Sequence, residues 1–142
     1  MTATTTALPA DLSLALDRVA DALSAMFAGD PAPYAALWAD LDDVTLYGAW
    51  GPTEQGHERV TRTFTWVASR FSDGVVEPPE YIVVAASGDL GLTVGFERGV
   101  VRVDGGAPQP MTLRVTHGFR RLDGRWWLTH RHADHPPTDP RG

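Results

Sequence analysis

Gly118-Phe119-Arg120-Arg121-Leu122-Asp123-Gly124-Arg125-Trp126-Trp127-Leu128-Thr129-His130-Arg131-His132 reads as two antiparallel strands around a two-residue turn. An Asp-Gly pair between alternating apolar residues is a strong hairpin signal, because both central positions of a type I′ turn require positive φ. The turn dictates a register in which Leu122 faces Arg125, Arg121 faces Trp126, Phe119 faces Leu128, His117 faces His130 and Val115 faces His132. Side chains alternate along a strand, so Val115, His117, Phe119, Trp126, Leu128, His130 and His132 are expected on one face of the sheet.

Three further segments continue this pattern toward the N-terminus. Tyr81 to Ala86, Gly91 to Val103 and Met111 to Arg121 are rich in Val, Thr and aromatic residues, and Ser-Gly-Asp and Asp-Gly-Gly turns separate them. With the last strand they form a four-stranded meander. A shorter strand, Val44 to Tyr47, leads into Gly48-Ala49-Trp50-Gly51-Pro52, whose glycines and proline demand a tight loop.

Before residue 72 the period changes. Leu12, Leu16, Val19, Ala20, Leu23, Met26 and Phe27 lie on one face of a helix that Pro9 opens and Gly29 ends. Tyr34, Leu37, Trp38 and Leu41 mark a second, short helix after Asp30 and Pro31. Val60, Phe64, Val67 and Phe71 mark a third, stopped by Ser72-Asp73-Gly74. Helices first and antiparallel strands afterwards imply an α+β fold with about three N-terminal helices packed on one face of the sheet.

Composition narrows the function classes. A chain of 142 residues with 43% hydrophobic and 21% charged side chains suits one domain, with an ordered core over about 10–134. The segments 1–8 and 135–142 read as flexible tails. A formal net charge of -6 without a basic stripe argues against nucleic acid as a partner. The absence of cysteine excludes disulfides, thiolate metal sites and a cysteine nucleophile. Neither a signal peptide nor a membrane-spanning run is visible, so a cytoplasmic location and no membrane partner are expected. No phosphate-binding glycine loop, dinucleotide fingerprint or Ser/His/Asp nucleophile motif is present.

With these elements in order, the chain resembles the nuclear transport factor 2-like superfamily, in particular its SnoaL-like and ketosteroid-isomerase-like bacterial members. The resemblance covers about residues 12–134. Leu37-Trp38-Ala39 running into Asp43-Val44-Thr45-Leu46, the Gly51 to Val60 stretch and Arg114-Val115-Thr116-His117 carry it, together with Asp123 to His132. It implies a cone-shaped α+β barrel, usually a homodimer, with a pocket between the helices and the concave sheet. It implies no single activity, since members include isomerases, polyketide cyclases, epoxide hydrolases, dehydratases and noncatalytic proteins. Steroid isomerases place a base aspartate near the position of Gly48, and here no carboxylate lies between Leu46 and Thr53.

A candidate site comes from the registers. Setting Val101 against Leu113 and Val103 against Met111 places Glu97 opposite His117, so Glu97, His117 and His130 form a row across three neighbouring strands. Gly95 and Gly99 flank Glu97 and are expected to leave room for a ligand. In a helix-covered pocket, Glu97 would act as base and His130 as acid or orienter, with His117 between them. Tyr34, Trp38, Tyr47, Trp50 and Phe64 would wall the site, with His132 beside them. The expected activity is cofactor-free proton transfer (isomerisation, cyclisation or dehydration) on a small hydrophobic, carbonyl-bearing molecule. Two histidines and a glutamate also match a metal ligand set, but no metal is expected. The alternative is a noncatalytic ligand-binding or dimerisation domain of the same fold.

Overall fold

The structure, a computed structural model, describes residues 8–141. The expected tail 1–8 falls almost wholly outside the described residues. Among the described residues, three helices, α1 (Ala10–Phe27), α2 (Ala32–Ala35) and α3 (His57–Arg70), accompany seven strands. These are β1 (Thr45–Tyr47), β2 (Thr53–Gln55), β3 (Phe71–Val76), β4 (Glu80–Ser87), β5 (Leu90–Val103), β6 (Gln109–Leu122) and β7 (Arg125–Asp134). The sheet order is β2-β1-β7-β6-β5-β3, with β4 also paired to β5. All pairings are antiparallel except β1 with β7. The sheet is curved but unclosed, so the expected barrel is an open one.

The apolar stripe of α1 buries Leu12, Val19, Leu23, Met26 and Phe27 against the concave face. Its end is closed by paired backbone bonds, Asp30 N–H to Ala25 O at 2.9 Å and Gly29 N–H to Met26 O at 3.0 Å, the Schellman arrangement that satisfies terminal carbonyls. α2 is a single turn, shorter than the sequence pattern suggests. Beyond it the chain joins the sheet edge instead: Leu128 N–H donates to Leu37 O and Ala39 N–H to Leu128 O. The residues read as stopping α3, Ser72-Asp73-Gly74, lie inside β3 at a register shift, with Asp73 at φ 52°. Turn chemistry there serves a bulge within a strand.

β5 has two edge partners in succession. β4 pairs with Leu90 to Phe96, and β3 with Gly99 to Val103. Glu97 sits where the partner changes. The glycines on either side do not open volume for a ligand as expected. A Cβ on Gly95 would come within 2.0 Å of Glu80 O, and one on Gly99 within 2.5 Å of Val75 O. They let the backbones of β4 and β3 approach the bend.

The Asp123-Gly124 turn has the expected form, with φ of 52° and 75°. The hairpin register follows it through Phe119 facing Leu128. It then breaks. Thr129 is an extra residue on β7, so Gly118 faces His130, His117 faces Arg131, Thr116 faces His132 and Val115 faces Ala133. The break coincides with a change of neighbour: the first half of β7 is bonded to residues 37–39, the second half to β1. A bulge lets one strand turn between two partners, and it exchanges the faces of every residue beyond it.

Candidate functional site

The face exchange on β7 decides what the interior contains. Arg131 points inward and is buried, while His130 and His132 point outward. The β5–β6 register also differs from expectation, since Glu97 faces Leu113 and His117 faces Thr93. That slide is even, so Glu97 and His117 keep the inward face, with exposures of only 3% and 2%.

Arg131 is the hub of the interior. Its Nη1 donates to Glu97 Oε2 at 2.7 Å and its Nη2 to Glu97 Oε1 at 2.9 Å, a bidentate ion pair. Nη1 also lies 3.2 Å from His117 Nε2 and 3.5 Å from the Tyr34 hydroxyl. The Tyr34 hydroxyl stands 2.6 Å from His117 Nε2. Because a guanidinium only donates, Nε2 carries the lone pair, and Tyr34 donates its proton to it. His117 is therefore the neutral tautomer protonated at Nδ1.

The charges agree with this assignment. Burial first, then the neighbouring Arg131 cation, hold the His117 imidazole well below its ordinary pKa. Burial also pushes the Tyr34 hydroxyl up. Burial works against the Arg131 cation, but the Glu97 carboxylate and Tyr34 more than offset it and its pKa is raised. Near neutral pH the cluster is a cation–anion pair beside two uncharged groups.

Tyr34 and Arg131 reach a cavity of about 50 Å³. Side chains of α1 and α3, the Gly48 to Pro52 loop, Leu46, Phe71 and Leu113 complete its mostly apolar lining. Trp50 closes the loop side, packed edge-on against Phe71 and His135 with ring centroids 5.4 Å and 5.3 Å away. Glu97 and His117 lie behind this floor. They border a separate void of about 10 Å³ with Thr93 and Tyr81, room for about one water molecule. The Tyr81 hydroxyl is buried there without a protein partner, and burial followed by the nearby Glu97 charge raises its pKa to about 12.

The structure thus brings together Tyr34, Trp50 and Phe64 at the cavity and Glu97 and His117 behind it. Trp38 is buried one layer back, packed on Phe64 and Tyr34 at centroid distances of 5.3 Å and 6.2 Å. Tyr47, His130 and His132 are on the other face of the sheet. There His130 Nδ1 bonds the Thr45 hydroxyl at 2.8 Å, and Tyr47 stacks edge-on against both histidine rings. The row of Glu97, His117 and His130 therefore does not form, nor does a metal set drawn from those three. Arg131 is the site residue that sequence reasoning missed. Simple alternation from the turn sends it outward, and nothing local marks Thr129 as the extra residue.

The sequence matches the SnoaL-like domain family over residues 16–137. No curated protein matches it. Among solved structures, a proposed dehydratase of the nuclear transport factor 2-like family from Streptomyces avermitilis superposes with a TM-score of 0.71 at 21% identity, covering 91% of this chain and 96% of that one. A nuclear transport factor 2-like superfamily protein from Salmonella enterica serovar Typhimurium gives 0.72 at 16% identity, with coverages of 92% and 97%. A proposed calcium/calmodulin-dependent protein kinase type II association domain from Thiobacillus denitrificans gives 0.70 at 17%, with coverages of 88% and 94%. At these identities the likeness shows the fold alone.

Proposed function

This chain belongs to the SnoaL-like domain family, and from that premise we propose that it takes a small, mostly apolar carbonyl compound into the cavity and catalyses cofactor-free proton transfer on it, as in isomerisation or dehydration. The observation that carries this reading is the 2.6 Å contact between His117 Nε2 and the hydroxyl of Tyr34, which lines an apolar cavity together with the Arg131 guanidinium.

Tyr34 is the group between ligand and base. A proton leaving the carbon next to the carbonyl passes to the Tyr34 oxygen while Tyr34 passes its own proton to His117 Nε2. The electron pair from the broken C–H bond moves onto the carbonyl oxygen, where Arg131 stabilises the enolate. Return of the proton at a different carbon completes an isomerisation. Glu97 takes a role other than the base expected from sequence: both its oxygens are held by Arg131, so we assign it the positioning of that guanidinium.

The test is deuterium exchange into cyclopentanone, followed by NMR in D₂O. The wild-type protein accelerates exchange next to the carbonyl, Tyr34→Phe and His117→Gln abolish the acceleration, and His130→Gln keeps it. Binding of the ketone without acceleration would remove catalysis from the proposal.

Two observations favour a noncatalytic, dimeric reading in parallel. The cavity has about a third of the ~150 Å³ that lets an engineered apolar cavity admit benzene. A ligand larger than a few atoms needs the Trp50 loop to move. The outer face also exposes Ile82, Leu90, Leu92 and Val100, an apolar area suited to pairing two copies. A monomer in analytical ultracentrifugation at micromolar concentration would remove the dimer.

A further inference from the structure

We infer that the cavity selects an uncharged carbonyl or amide oxygen over a carboxylate of the same shape, and that Glu97 is the residue that sets this preference. The inference rests on the proposed ligand pocket and concerns the class of molecule that fits it.

An arginine at the floor of an apolar pocket ordinarily marks a site for anions. Here its charge is already spent. Glu97 meets Arg131 with both oxygens, the pair is buried, and Glu97 borders the small inner void without lining the cavity. The remaining members of the cluster, Tyr34 and His117, are uncharged near neutral pH. Among the described residues, no ionisable side chain besides Arg131 and Tyr34 lines the cavity. The floor therefore has donors but no net charge.

The donors are available. Arg131 uses Nη1 and Nη2 toward Glu97 and Nη1 toward His117 and Tyr34, and its Nε has no hydrogen-bond partner among the described residues. A neutral oxygen entering the cavity accepts from this guanidinium and leaves the local charge at zero. A carboxylate entering the same place brings a second anion to one buried cation. Its lost hydration is then compensated by no unpaired positive charge.

Glu97 acts through Arg131 and does not reach the cavity. It is a specificity-determining residue at one remove. Replacing its carboxylate by an amide of the same shape exposes the full guanidinium charge to the ligand, and the preference should invert.

The isosteric pair isobutyramide and isobutyrate tests this on the full chain at pH 7, by NMR titration of the Trp50 indole and the cavity methyl signals. The wild-type protein binds the amide at least about tenfold more tightly than the carboxylate, and Glu97→Gln reverses the order while Glu97→Asp keeps it. Far-UV circular dichroism confirms that each variant is folded. The wild-type comparison stands even where Glu97→Gln fails to fold. Tighter binding of isobutyrate by the wild type, or an order unmoved in folded Glu97→Gln, overturns the inference while leaving the pocket intact. Binding of neither molecule, or of both away from the cavity signals, overturns the pocket reading itself and this inference with it.

Discussion

Arg131 and His132 are adjacent in the chain and inhabit opposite environments. Arg131 lies in the buried interior with Glu97, His117 and Tyr34, where hydrogen bonds and an ion pair link all four side chains. His132 lies on the outer face with His130 and Tyr47, where water is available. The inner cluster is one coupled unit in low dielectric, so removing any member leaves another uncompensated. The outer groups are a set of separable contacts. The same residue types therefore carry different energetic weight on the two sides of a single strand.

The sharpest way to break the comparison is to delete Thr129. Without the extra residue, Arg131 turns outward and the two histidines turn inward, leaving Glu97 buried without a cation. Loss of the cooperative thermal transition is the expected outcome. A deletion variant that melts like the wild type would show that the bulge does not set the faces.

Next in size is Arg131→Met, which strands the Glu97 carboxylate and should cost about 3–5 kcal/mol in urea unfolding. His132→Ala, one residue along, should stay within about 0.5 kcal/mol. Equal losses from the two would erase the distinction between the faces.

A pH series sharpens it further. The His117 pKa is depressed in the folded protein, so the unfolded chain binds its proton first as the solution is acidified. Stability is fully present above about pH 6.5 and falls as the pH drops below it, by at most about 1.4 kcal/mol per unit for this one group. His130 is shifted in the same direction by burial and by His132, and adds to the loss. Urea midpoints at pH 7 and pH 5 should therefore converge most in His117→Gln. A His117→Gln slope as steep as that of the wild type would move the pH sensitivity to other groups.

The smallest effect compares one hydrogen bond on each side. Tyr34→Phe removes the donor to His117 and should cost about 1–2 kcal/mol, whereas Thr45→Val removes the partner of His130 and should cost about 0.5–1 kcal/mol. Chemical denaturation of the two variants side by side reads the difference.

Much of the architecture was legible in the chain. The apolar stripe from Leu12 to Phe27, the alternation of the four long strands and the Asp123-Gly124 turn each encode their element within a few residues. β3 was less legible, because Ser72-Asp73-Gly74 carries the chemistry of a turn and is used as a bulge. In the candidate site, Glu97, His117, Tyr34 and Phe64 are legible because each lies on an element whose inward face alternation or helical spacing identifies, and Trp50 because glycines and a proline mark its loop as tight. Arg131 is not, and His130 is chosen in its place.

Local sequence by itself determined the three helices, the strands β1 and β4 to β7, where the last hairpin turns, and that one inner face would be apolar around a few polar residues. Tertiary structure alone decided which polar residues those are. The inward face of β7 depends on where the strand exchanges residues 37–39 for β1 as its neighbour, and those partners lie more than eighty residues away in the chain. A single inserted residue at that junction reverses every side chain beyond it. A pattern of period two has no means of announcing such a reversal before the neighbours are in place.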